Sequence, residues 1–300
     1  MPCGKKYLFA RILGNDVPGL HGENQTIINL KFTLENESQY PNADYVYVLN
    51  RIYDINKKKE IIEILNHYHM NYVDIPFSIK EFNKILKKNI GILVEPHNRI
   101  SNRSKQHLTY FNHYIVNNNG ARNFTLRYGR KNNYTWTFVL DSNSYIDDVL
   151  YQAIEKAVSE HPDSKYLIMS QARLKDGNLT NDVVLMDSKK IDELPEREPQ
   201  IAFHVSTTTV FDQRLPYGSA PKAEFLSSLS VPGEWNQWTS LVQAKLNIRP
   251  RKINESWVKT SRIIRLHPQE SNNDISKNKV LREQGILLHV KRVFELFLKK

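Results

Sequence analysis

Two hydrophobic periods share this chain. From Tyr7 to Leu13 the residues are apolar apart from Arg11, and the run stops at Gly14-Asn15-Asp16-Val17-Pro18-Gly19, a cluster of turn formers. That pattern reads as a buried strand entering a loop. Thr26 to Asn36 carries Ile27, Leu30 and Leu34 at helical spacing, with Ile28 and Phe32 alongside. Tyr45 to Arg51 predicts a second strand, Lys57 to His67 a helix carrying Ile61, Ile62, Ile64 and Leu65, and Asn71 to Ile75 a short third strand. Strand, helix, strand, helix, strand in this order predicts a mostly parallel α/β sheet with helices on both faces.

Residues 77–112 are polar with scattered apolar positions, which predicts an excursion from the sheet that is partly helical. Asn117 to Arg130 reads as a helix, and Tyr134 to Leu140, rich in β-branched and aromatic residues, as a strand ending at Asp141. Beyond it the pattern predicts a helix over Val149 to Ser159 and strands over Lys165 to Ser170 and Val183 to Met186. A further strand falls within Gln200 to Phe211, and a helix begins at Ala223. The tail from Gly285 to Lys299 is amphipathic and basic, with Ile286, Leu287, Val290, Val293, Phe294, Leu296 and Phe297 on its apolar side. Such a helix either packs on the core or lies against a membrane surface.

Composition narrows the class. The 42 Lys and Arg exceed the 32 Asp and Glu, for a net charge of +10. This suits an anionic partner: nucleic acid, a membrane surface or a phosphorylated small molecule. Runs such as Lys57-Lys58-Lys59 and Lys87-Lys88 also serve as solvated surface. Hydrophobic residues at 40%, with 15 Tyr, 12 Phe and 4 Trp, exclude a disordered chain. One cysteine, Cys3, excludes an internal disulfide and a Cys-based zinc site, and points to a reducing, cytoplasmic compartment. Seven N-x-[ST] sequons, Asn24 to Asn254, follow from the Asn-rich composition, since no signal peptide is read ahead of them. No window approaches the roughly 20 apolar residues of a membrane span.

The chemistry concentrates where the strand ending at Asp141 stops. In Phe138-Val139-Leu140-Asp141-Ser142-Asn143 an acid and an amide two residues apart follow an apolar strand, at the end where open α/β sheets bind ligands. Asp141 and Asn143 can both offer oxygen to a hard divalent cation, which would neutralise a diphosphate leaving group. Just upstream, Arg122, Arg127 and Arg130 can supply charge-assisted bonds to phosphate, and Asn123 can bond a base or ribose. Around a helix Arg122 and Arg127 lie about 140° apart, so both serve one ligand only if the helix starts after Arg122. Neither a dinucleotide-binding glycine fingerprint nor a P-loop is present.

The order Ala121-Arg122-Asn123, helix, apolar strand, Asp141-Ser142-Asn143 resembles the GT-A glycosyltransferases. Arg11 to Asp16, Leu49-Asn50-Arg51-Ile52, Ile75-Pro76-Phe77 and Val231 to Trp238 are similar to bacterial and viral glycosyltransferase-like proteins with an Asp-Gly-Asn-like motif. Here Ser142 takes the middle position, and Asn143 stands in place of a second acid. The resemblance implies a single GT-A (Rossmann-like) α/β domain over 1–300, with a nucleotide-binding half to about residue 145 and an acceptor half beyond it. It implies a nucleoside diphosphate sugar donor, Mn²⁺ or Mg²⁺, and a glycan or lipid-linked glycan hydroxyl as acceptor. Arg11, Asn15, Asp16, Arg122, Asn123 and Arg127 would hold the nucleotide; Asp141, Asn143 and His204 would hold the metal. Glu224, with Asp212 in reserve, would be the general base of an inverting transfer. Trp235 and Trp238 serve either a sugar platform or the core. Two other readings stand beside this one. A metal-dependent nucleotidyltransferase needs the same pocket. A nucleic-acid-binding module suits the charge, but no RNP-like motif, zinc-finger spacing or basic heptad accompanies it.

Overall fold

Strand β1 (Tyr7–Leu13) is central because it is apolar on both faces, and its residues are buried except for half-buried Ile12. In the computed structural model, which describes residues 6–96, 100–173, 196–266 and 275–299, β1 pairs in parallel with β2 (Ala43–Asn50) on one side and β4 (Trp136–Asp141) on the other. Strand β3 (Asn71–Ile75) adds to β2 in parallel. Beyond β4 the direction reverses: β7 (Glu196–His204) is antiparallel to β4 and to β6 (Tyr166–Arg173). Short strands β8 (Trp257–Lys259) and β9 (Ile263–Arg265) follow β6 in parallel, and β5 (Ser144–Tyr145) closes against β9. The result is a nine-stranded mixed sheet of order β3-β2-β1-β4-β7-β6-β9-β5, with β8 also on β6.

The expected helices form around it: α1 (Gln25–Asn36), α2 (Ile55–His67), α3 (Ile79–Lys88), α4 (Asn102–Phe111), α5 (Asn118–Lys131) and α6 (Asp148–Glu160). Later come α7 (Pro221–Ser228), α8 (Trp235–Leu246) and α9 (Ile275–Phe297). Side chains on a strand alternate faces, and β4 shows the consequence. Phe138 packs with Leu150 and Ile154 of α6, while Val139 packs with Leu126 of α5 and Phe225 of α7. The excursion at 77–112 is the α3–α4 pair joined through a 3₁₀ turn, Ile90–Val94. It makes its own core from Phe82, Leu86, Leu108 and Phe111 with Leu287, Val290 and Val293 of α9. Much of the apolar face of the basic C-terminal helix therefore packs on the core, while Leu296 stays exposed. Among the described residues no helix is long and apolar enough to cross a membrane. The strand expected at Val183–Met186 lies outside the described residues.

Helix α5 sits unusually close to β4. A Cβ at Gly129 would lie 2.0 Å from Thr137 Oγ1 and 3.1 Å from its Cβ. Thr137 is buried on a strand, where a β-branched side chain has little rotamer freedom. Gly129→Ala is thus expected to lose about 1–3 kcal/mol to overpacking, against the roughly 1 kcal/mol that alanine gains over glycine in a helix. Urea unfolding checks the sign; a more stable variant would mean that the helix can slide off the strand freely.

Candidate functional site

The topology reverses between β1 and β4. From β1 the chain winds outward through β2 and β3, and then returns to β4 on the other side. Such a switch point leaves a crevice outside the carboxyl ends of the two strands. Ile12 of β1 is in register with Asp141 of β4. Gly14 and Asp141 therefore border this crevice, and α5 begins above it. The helix starts after a π-helical turn, Asn112–Val116, and a left-handed Asn117 at φ 46°. The Asn117 side chain donates to Asn50 Oδ1 (2.8 Å), and Asn50 Nδ2 donates to the Val116 carbonyl (2.7 Å). These bonds fix the start of α5 to the end of β2.

Asp141 is the centre of a charged cluster. Its Oδ1 accepts from Arg122 (3.1 Å); its Oδ2 accepts from Lys222 Nζ (3.2 Å) and Gln200 Nε2 (2.8 Å). Arg122 is 4% exposed and Lys222 is 3% exposed, whereas the Asp141 side chain is 29% exposed. Arg122 is braced by Asn119 Oδ1 (3.2 Å) and lies over the Phe211 ring at 5.2 Å. Lys222 arrives from the first turn of α7, behind a left-handed Ala220 (φ 47°) and Pro221. A lysine there opposes the helix dipole, and a buried one loses hydration, so local structure alone gives it no reason to sit there. Burial works against the ionisation of Asp141, but Lys222 and then Arg122 outweigh it and hold its pKa well below the usual carboxylate range. Burial likewise lowers the pKa of Lys222, and Asp141 opposes that shift. Arg265 of β9 adds a third positive charge acting on Asp141. Its Nε is buried without a hydrogen-bond partner among the described residues.

The other expected site residues are mostly occupied within the fold. Arg11 is 2% exposed and donates to Glu37 Oε2 (2.5 Å) and to the Ser144 carbonyl (2.8 Å); it ties β1 to α1 and β5. Asn15 donates to the Arg51 carbonyl (2.8 Å), and Asp16 accepts from Thr26 N (3.1 Å) and Lys57 Nζ (2.5 Å), organising the loop after β1. Asn123 forms a two-way pair with the backbone of Phe211, donating to its carbonyl and accepting from its N–H at 2.9 Å each. The helix starts before Arg122, so Arg127 turns away and is exposed, and the two arginines do not share a ligand. Trp235 is buried in the core and donates to the Val231 carbonyl (2.9 Å). Trp238 is partly buried against the same cluster.

Two expected roles find no matching geometry. His204 pairs in register with Trp136, at the opposite end of β4 from Asp141. Five residues of strand separate the two positions by about 17 Å. Its pKa is lowered by burial and by Lys165, and its Nδ1 faces Ser206 Oγ (2.8 Å). Glu224, 2% exposed, is held by Arg251 through two bonds of 2.8 and 2.7 Å and accepts from Ser228 (2.9 Å). The fold turns that carboxylate toward Arg251 and not toward Asp141. Asp212 is bound to Arg214 (2.6 Å), and its carbonyl accepts from Asn119 (2.7 Å). Glu224→Gln is expected to cost about 2 kcal/mol of stability, since an amide cannot satisfy both guanidinium donors, and to leave the turnover of the folded protein unchanged. Chemical unfolding together with product release measures both; lost turnover at full stability would restore Glu224 as the base.

The described residues around Asp141 supply few donors for a metal. Asn143 stands half-exposed at the turn, next to Asp141, and its carbonyl accepts from Leu266 N (2.8 Å). Among the described residues no three His, Cys, Asp or Glu side chains form a metal-holding group. Two unit charges 4 Å apart interact with about 4 kcal/mol at an effective dielectric of 20. A divalent ion on Asp141 would be repelled by Arg122 and Lys222, each already bonded to one of its oxygens. The described residues around Asp141 do not make a donor set for Mn²⁺ or Mg²⁺.

Three residues of the cluster escaped sequence reasoning: Lys222, Gln200 and Arg265. Glu198 also belongs near it, close enough to act on the charge of Lys222.

Fold and site together define an α/β protein with a cluster of buried cations on one carboxylate at the switch point of a mixed sheet. No family model and no curated protein matches the chain by sequence. Among solved structures it is similar to S. aureus TarS residues 1–349, at 11% identity over 98% of this chain and 75% of that one, with a TM-score of 0.42. It is also similar to the 4-diphosphocytidyl-2C-methyl-D-erythritol synthase of Anaerococcus prevotii, at 12% identity over 93% and 97% of the two chains (TM-score 0.33). A Leptospira borgpetersenii cytidylyltransferase matches at 11% identity over 98% and 94% (TM-score 0.32). Likenesses this distant leave the activity to be read from the site.

Proposed function

We propose that the protein transfers a sugar from a nucleoside diphosphate sugar to a hydroxyl acceptor, with the diphosphate seated at Asp141 in the switch-point crevice. The observation that supports this reading best is the pair of buried cations, Arg122 and Lys222, gripping one part-exposed carboxylate at a strand end. Buried positive charge in a water-poor crevice stabilises the negative charge that a departing diphosphate develops. Glu198 replaces Glu224 as the candidate base, since it lies near enough to Lys222 to act on its charge. The acceptor would be a hydroxyl of a glycan or lipid-linked glycan, and the compartment the cytoplasm.

The same pocket suits nucleotidyl transfer, so the test separates the two by product. The protein is incubated with UDP-, GDP-, CDP- and TDP-sugars, and released nucleoside diphosphate is measured. In parallel it receives nucleoside triphosphates with sugar 1-phosphates, and released pyrophosphate is measured. Nucleoside diphosphate from one donor supports glycosyl transfer. Pyrophosphate alone converts the assignment to nucleotidyl transfer, and neither product overturns both.

A further inference from the structure

Resting on the reading of a nucleoside diphosphate site, we infer that this site works without a divalent metal, with Lys222 and Arg122 as its built-in cations. The carboxylate that would ligate a metal already has a cation on each oxygen, at 3.1 and 3.2 Å. Both cations are held by the fold. Arg122 is braced by Asn119 and Phe211, and Lys222 is set by the left-handed Ala220 and by Pro221 at the start of α7. Arg265 brings a third cation and a buried Nε donor with no partner among the described residues. One carboxylate therefore faces three cations, and Glu198 is the second acid acting on Lys222. The positive excess is what a diphosphate requires and what a divalent ion avoids.

Gln200 explains how such a site can open. Its Nε2 bonds Asp141 Oδ2 (2.8 Å) and Ser144 Oγ (3.2 Å), so the carboxylate stays anchored when Lys222 leaves it. Binding then exchanges partners: Lys222 Nζ moves from Asp141 Oδ2 to a phosphate oxygen, and Arg122 shifts from Oδ1 toward the same ligand. Asp141 acts as a positioning residue that parks both cations between turnovers.

The test compares thermal shifts with UDP, GDP, CDP and TDP, each in EDTA and in millimolar Mn²⁺, because a ligand of the folded state raises the melting temperature by linkage. The expected result is a shift for one nucleotide that is equal in the two buffers. Lys222→Met, checked for folding by circular dichroism, is expected to weaken that nucleotide roughly tenfold or more in both buffers. A shift in Mn²⁺ that disappears in EDTA overturns the metal-free site and leaves the nucleoside diphosphate reading intact. No shift in either buffer overturns that reading itself. The wild-type comparison decides the matter whether or not Lys222→Met folds.

Discussion

Arg11→Leu is expected to lose about 4 kcal/mol of stability, the scale of breaking a buried ion pair by removing one partner. Arg11 and Glu37 are both nearly sealed from water, with 2% and 4% of their side chains exposed. Burial works against the charge of Arg11, and Glu37 outweighs it and raises its pKa. Without Arg11, Glu37 Oε2 keeps only the Ile146 N–H (2.9 Å), and the Ser144 carbonyl loses the donors at 2.8 and 3.2 Å. Leucine fills the stem volume but leaves a carboxylate inside an apolar wall. The double variant Arg11→Leu/Glu37→Leu removes both charges, and its loss should be smaller than the sum of the single losses by about 2–3 kcal/mol. Urea unfolding of the four proteins measures this coupling. Nucleotide binding by folded Arg11→Leu should match the wild type. Lost binding with unchanged stability would return Arg11 to the nucleotide-contact role that its sequence position suggested.

That contrast shows what the residue pattern carried and what it did not. The β1 and β4 segments were legible because each is a nearly continuous apolar run, and the turn at Asp141 was legible because such a run ends there abruptly. Arg11 was misread because its partner, Glu37, lies 26 residues away at the end of α1, beyond any local pattern. His204 was misplaced by strand direction. In a parallel β7 its position at the strand end would fall beside Asp141, but β7 runs antiparallel and carries it to the other end of β4. Lys222 was passed over because sequence alone reads most lysines as surface. Glu224 was preferred two residues on, because the pattern does not say which side of α7 meets the crevice. The fold turns Lys222 toward Asp141 and Glu224 toward Arg251.

Asp141→Asn and Asp141→Ala are expected to separate binding from turnover. Removing the carboxylate leaves Arg122 and Lys222 buried without a counter-charge, which should cost about 3 kcal/mol near pH 7. The pH dependence has a definite sign. The folded-state pKa of Asp141 lies below its unfolded value of about 3.9. Its stabilisation is therefore fully present above that unfolded value and is lost as pH falls through the lower, folded one. The stability gap between wild type and Asp141→Asn should be constant from neutral pH down to about 5 and should narrow only in more acidic solution. Denaturant titrations along that pH series check it; a gap that closes near neutrality would mean that Asp141 titrates as an ordinary surface carboxylate. Turnover should fall about a hundredfold, the scale of losing one charge-organising group in an active site. Nucleoside diphosphate affinity should hold or tighten, because a negative charge has been removed beside the phosphates. A metal-bridged site predicts the opposite, since losing the carboxylate there removes the metal and the nucleotide with it. Turnover and affinity measured on the same variant thus decide whether Asp141 holds cations that belong to the protein or one that comes from solution.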